Sequence, residues 1–141
     1  MSVKIEGMDA LKANLLKFAI DTDKAVDNAV RLTAFEVQKT AKADIRTPSV
    51  GTYYKRGDKF HVASKPGDAP NTDTGRLIGS INVSHKKGDM FAYVGTNVAY
   101  GLYLETVMNR PFLEPAKVKE MKFFGETLEL MIDKEIKEAG K

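Results

Sequence analysis

Residues 80–95, SINVSHKKGDMFAYVG, decide the fold, because they change the period of the chain from helical to extended. Ile81, Val83 and His85 fall on one face of a first strand, and Phe91 and Tyr93 on one face of a second. Lys86 to Asp89, with Gly88, supply a turn between them. The stretch predicts an antiparallel β-hairpin.

N-terminal to this hairpin, the apolar positions Leu11, Leu15, Phe18, Val26, Ala29, Val30, Thr33, Val37 and Ala41 recur every three or four residues. That is the period of an amphipathic helix, predicted from Met8 to Arg46. Asp9 is placed to cap its start, and Asp21–Thr22–Asp23 compete for backbone hydrogen bonds at a point where the helix could divide. Pro48 ends it, because the residue before a proline is pushed out of the helical region. C-terminal to the hairpin, Tyr100, Tyr103 and Leu104 fit either a helical turn or a short buried segment. A last helix follows, with Pro115 in its first turn, Glu114 near its positive end, and a stripe of Met121, Phe124, Leu128, Met131, Ile132 and Ile136. Two long helices around a small antiparallel sheet define a single α+β domain over residues 1–141.

Between the first helix and the hairpin, the chain from 47 to 73 shows no period and is punctuated by Gly51, Gly57, Pro66, Gly67 and Pro70. It is expected to be a loop, well beyond the usual limit of about 12–15 residues, and such loops have functional reasons to exist. Asp73 or Thr74 then offers an N-cap for one turn carrying Leu77.

The 141 residues suffice for one core without staples, burying about two-thirds of the surface of the unfolded chain. Cysteine is absent, which excludes disulfides and thiolate chemistry and suits a reducing cytoplasm. The N-terminal stretch lacks the layout of a signal peptide, and no apolar run approaches the roughly 18 residues of a membrane span. With 22 basic and 19 acidic residues the net charge is +3, spread without blocks, too weak a field for a dedicated DNA binder.

No catalytic set converges. His61 and His85 stand 24 residues apart without a metal-ligand spacing. GRLIGS at 75–80 lacks the lysine of a phosphate-binding loop, and Asp68, Asn71 and Asp73 lack the spacing and closing glutamate of a calcium loop. Glu105, the one carboxylate between Asp89 and Glu114, stands beside tyrosines and reads as structure rather than as a general base. Neither cofactor nor metal is expected. Residues 53–61, YYKRGDKFH, interleave Tyr53, Tyr54, Phe60 and His61 with Lys55, Arg56 and Lys59. That composition suits a protein-contact loop or a stacking platform for single-stranded nucleic acid.

Three blocks carry a resemblance: SKPGDAPNTDTGRLIGSI at 64–81, VGTNVAYGLYLE at 94–105, and RPFLEPA at 110–116. In this order and spacing they resemble a family of tailed-bacteriophage tail-component or neck proteins, which includes tail-completion and head–tail joining proteins. One departure is visible: Glu105 is followed by Thr106–Val107–Met108–Asn109 where the family usually has Phe-Gly-Thr. The resemblance implies a structural virion protein of the neck or head-proximal tail end, assembled in the host cytoplasm. It would form a ring, hexameric in the particle, with copies of itself and adjoining neck, tail-terminator or tail-tube proteins as partners. DNA would pass through the lumen, without catalysis, cofactor or membrane.

The matched residues have expected roles from their chemistry. Pro66, Gly67 and Pro70 fix the path of the loop, and Gly75 allows the tight turn that buries Leu77. Arg76 and Arg110 would pair with Glu105. Pro111 leads to Phe112, which with Leu113 would anchor the last helix to the sheet, and Tyr100 lies in the second block. Tyr53, Tyr54, Lys55, Arg56, Phe60 and His61 are expected to order on a neighbouring subunit. The competing reading is a sequence-independent nucleic-acid binder using Lys55, Arg56, Lys59, Lys65, Lys86 and Lys87 on phosphates.

Overall fold

The computed structural model describes residues 7–140 and has the expected α+β architecture, with two hairpins rather than one. The first helix, α1 (Met8–Arg46), is unbroken. Its start is not capped by Asp9. Gly7 occupies the N-cap in the left-handed conformation, and Asp9 sits in the first turn, where a carboxylate suits the helix dipole. Asp21–Thr22–Asp23 do not divide it, because their polar atoms are satisfied without leaving the helix. The Thr22 hydroxyl donates to the Phe18 carbonyl, and Lys24 Nζ lies 2.7 Å from the Asp21 carboxylate, holding that carboxyl below its usual pKa. At the other end Thr47 turns extended before Pro48, as the proline requires.

The stretch expected as a loop over 47–73 contains a hairpin, β1 (Gly51–Arg56) with β2 (Lys59–Ser64), in the register Tyr53↔Val62 and Lys55↔Phe60. A two-residue turn joins the strands. Gly57 takes its first central position at φ 57°, where the hairpin turn needs positive φ. At the base, a Cβ on Gly51 would stand 1.6 Å from the Ala63 carbonyl oxygen, so the pairing of these strands depends on glycine there.

One turn of helix, α2 (Arg76–Ser80), leads directly into β3 (Ile81–Ser84), which pairs antiparallel with β4 (Tyr93–Thr96). This is the hairpin expected at 80–95, shorter and with a longer connection. Phe91 lies outside the strand, though its ring meets the edge of Tyr93 at 5.5 Å. The connection is tied to α1 through Asp27, whose carboxylate lies 2.8 Å from His85 Nε2 and accepts from the Gly88 backbone N–H. The neck of the α2 turn is capped by Gly75 at φ 76°, not by Asp73 or Thr74 side chains.

The ambiguous segment after β4 is a helix, α3 (Ala99–Thr106). Its Gly101 is buried against Thr96, where an added Cβ would come within 2.6 Å of a side-chain methyl. The last helix, α4 (Leu113–Ala139), has Pro115 in its first turn as expected. It runs antiparallel to α1: Thr40 bonds Glu120 and Lys119 bonds Asp44 at one end, while Asn14 and Phe18 share a groove with Glu135 and Ala139 at the other.

The core sits where the helices cross the second hairpin. Val37, Ala41 and Ile45 of α1 meet Leu77, Ile81, Phe112 and Ala116, with Ile78, Val94, Leu104 and Leu113 around them. Ala41 and Ala116 are both fully buried, and two such small residues let the helices approach closely. The 39 residues of α1 span about 58 Å at 1.5 Å per residue, far longer than this core. Its buried residues accordingly begin only at Ala25. Leu11, Leu15, Leu16 and Ile20 are exposed on a two-helix arm, so the expected stripe is core-forming only in its C-terminal half. The same holds for α4, where Phe124, Leu128, Met131 and Ile132 are half-buried but Met121 and Ile136 are exposed.

Candidate interaction surface

The six residues expected at an interface all lie on the first hairpin, but on two different faces. Side chains alternate along a strand, and cross-strand partners share a face. Tyr53, Lys55, Phe60 and Val62 therefore line one side, and Tyr54, Arg56, Lys59 and His61 the other. The first side points outward. Tyr53 is 74% and Phe60 70% exposed, an aromatic pair on a hairpin whose buried residues, Ala63 and Ser64, are confined to its base.

The second side turns toward a cleft of about 630 Å³, bounded by the hairpin, by the segment Pro70–Leu77, and by Tyr100, Leu104 and Arg110 beyond it. Two contacts hold the hairpin over this cleft. Arg56 forms an ion pair with Asp73, whose carboxylate also lies 3.9 Å from His61 Nδ1. Asn71 makes the firmer bond: its amide accepts from the Ser49 backbone N–H at 2.8 Å and donates to the carbonyls of Ser49, at 2.8 Å, and Val62, at 2.9 Å. The asparagine thus replaces the backbone partners that a third strand would have provided.

The proline–glycine segment behaves as its composition suggests. Pro70 is buried, Pro66 exposed, and Gly67 adopts φ 95° while its backbone N–H donates to the Asn109 carbonyl. Leu77 enters the core from α2.

The expected pairing of Glu105 with Arg76 or Arg110 is not formed. The Glu105 carboxylate instead accepts from three consecutive backbone N–H groups, those of Phe112 at 2.9 Å, Leu113 at 3.2 Å and Glu114 at 3.0 Å. The first N–H groups of a helix have no partner within it and carry partial positive charge. A carboxylate seven residues upstream satisfies three of them at once, which two arginine side chains do not need to supply. Capping also explains the chain reversal after Glu105. Val107 and Met108 donate to the Tyr103 carbonyl, Asn109 adopts φ 48°, and Arg110 N–H returns to the Leu104 carbonyl. This turn brings Pro111 and fully buried Phe112 against the core, as expected of the anchor.

Sequence reasoning missed two of the residues that shape this surface. Asn71 and Asp73 read as turn formers, and nothing local signalled that their side chains would reach back across 9 to 22 residues to the hairpin. Among the described residues no group of three or more His, Cys, Asp or Glu is placed to hold a metal ion, and no helix is long and apolar enough to cross a membrane.

A two-helix frame whose exposed apolar residues gather on a projecting hairpin and an arm belongs to the class of structural, interaction-forming domains. The chain belongs to the phage family described as "Bacteriophage HK97-gp10, putative tail-component", whose model matches residues 9–106. It is a structural bacteriophage tail protein of the virion, made to contact other phage structural proteins. The match spans α1, both hairpins and α3, and stops short of the RPFLEPA block and α4. No curated protein and no solved structure matches the chain.

Proposed function

We propose that this protein is a ring-forming component of the neck or head-proximal end of the tail, acting in tail completion or head–tail joining, and that the β1–β2 hairpin is its principal contact with the neighbouring molecule. The observation that carries this reading is the outward hairpin face, where Tyr53 and Phe60 are exposed on an element anchored only at its base. Exposed aromatics on a preordered hairpin are the composition of an interface anchor. A closed ring uses heterologous contacts, one patch meeting a different patch on the next copy. The hairpin supplies the first patch. The half-open apolar groove between α1, β4 and α4, lined by Val30, Ala34, Tyr93, Val94, Met121 and Phe124, supplies a second of matching chemistry on the same chain. Six copies around the axis, adjoining neck, terminator or tube proteins, and passage of DNA through the lumen follow from the family resemblance. The absence of charge blocks suits a channel that must not hold the genome.

The test is Tyr53→Ser combined with Phe60→Ser. Both side chains are exposed, so the melting temperature of the isolated protein should stay within about 2 °C, a change of well under 1 kcal/mol for a domain of this size. The variant should fail to enter particles when supplied in place of the natural protein. Normal tailed particles carrying the variant at full occupancy would overturn the assignment.

A further inference from the structure

The cleft under the hairpin has a chemistry that the assembly reading does not use. Lys55, Arg56, Arg76 and Arg110 line it against one carboxylate, Asp73, which Arg56 already engages. Among the described residues neither Arg76 nor Arg110 forms an ion pair, and Arg110 Nε is buried without a hydrogen-bond partner. Ser64 Oγ, on a residue only 3% exposed in the same wall, is also buried and unpartnered. Buried donors in native proteins find acceptors, and a guanidinium left without one is costly. The floor between these groups is apolar, formed by Ile45, Leu77 and Leu104.

We infer that this cleft is a carboxylate-binding site that receives an acidic segment of a partner protein, with Arg76 and Arg110 as its principal ligands. Guanidinium groups pair with carboxylates through two parallel N–H···O bonds, and the unpaired Arg110 Nε is one of the donors such a fork requires. A recessed site with an apolar floor fits the side chain of glutamate or aspartate, which brings methylenes in with its charge. The phosphates of a duplex lie on a convex surface and need a broad basic face, which a chain of net charge +3 does not present. The choice of a protein ligand rests on the assembly reading; the anion chemistry of the cleft does not.

The experiment is fluorescence anisotropy with a labelled hexaglutamate peptide on the full chain at low salt, with a labelled single-stranded oligonucleotide in parallel. The peptide should bind, and Arg76→Gln with Arg110→Gln should weaken it about tenfold or more, the loss of one charge-assisted contact. Lys122→Gln with Lys134→Gln, which removes the same charge from exposed positions along α4, should leave binding unchanged. Because Arg110 is partly buried, exposed Arg76→Gln alone is measured as well, with a melt to verify folding; it should weaken binding in a chain that melts normally. Three results overturn the proposal: no peptide binding to the natural chain, equal weakening by the α4 pair, or an oligonucleotide that binds more tightly than the peptide and is lost with the arginines. None of these touches the Tyr53 and Phe60 test, so failure of the cleft and failure of the hairpin assignment are read separately.

Discussion

Glu105 is the residue on which the C-terminal half of the domain turns. Its carboxylate caps α4 from a position on α3, so one side chain joins two helices that are not otherwise continuous. Glu105→Ala should destabilise the protein by about 2–3 kcal/mol, more than a simple cap, because three N–H groups at the start of α4 lose a charged acceptor. Urea denaturation measures this directly, and a loss under about 0.5 kcal/mol would mean that water replaces the carboxylate at no cost. Phe112, immediately downstream and fully buried, should cost about 3–5 kcal/mol when cut to alanine. A value below about 1 kcal/mol would show that the core closes over the missing ring. Phe112 was legible in the sequence as an anchor, because a large aromatic before an amphipathic helix has few other uses. The role of Glu105 was legible only as structural. Opposite charge nearby in sequence suggested an arginine partner, and the competing demand of the uncapped helix has no sequence signature at this separation.

At the scale of elements, legibility followed the strength of the period. The helices and the β3–β4 hairpin follow from apolar spacing, and their bounds fall close to those expected. The β1–β2 hairpin does not, for a physical reason. Each of its faces mixes an aromatic with a cation, Tyr53 and Phe60 with Lys55 on one and Tyr54 with Arg56 on the other. Alternation of hydropathy, which marks a strand with one face in a core, is therefore missing. The Arg56–Gly57–Asp58–Lys59 turn was the one local signal. A hairpin without a core face must be held by polar contacts, and Asn71 is the strongest of them. Asn71→Ala should remove about 1–2 kcal/mol from the local stability of the hairpin. Amide exchange in β1 and β2 should then rise about tenfold for each 1.4 kcal/mol lost, while the protection of α1 residues 37–45 changes little. Uniform acceleration across the chain would instead make Asn71 part of the global core.

At the scale of the whole molecule, the long α1 carries the same lesson as the hairpin. Its apolar stripe runs the full length in sequence, yet only the part from Ala25 onward meets the core, and Leu11, Leu15, Leu16 and Ile20 remain exposed. Periodicity reports that a face is apolar, not what covers it. A monomer of this size with two projecting elements that expose large apolar side chains is shaped for company. Family membership agrees, since a tail component works as part of a particle. The resemblance read from residues 64–81 and 94–105 lies within the matched span, whereas the 110–116 block lies beyond it. The core that this last block builds, with Phe112 and Ala116, is nevertheless continuous with the rest.

Hydrogen–deuterium exchange of residues 51–64, compared between the isolated protein and purified particles, tests the central assignment most directly. The hairpin amides should be weakly protected in the free chain and strongly protected in the particle, with the outward residues Tyr53 and Phe60 inaccessible to a tyrosine- or aromatic-directed label only after assembly. Equal exchange and equal labelling in the two states would show that the hairpin contacts nothing in the virion.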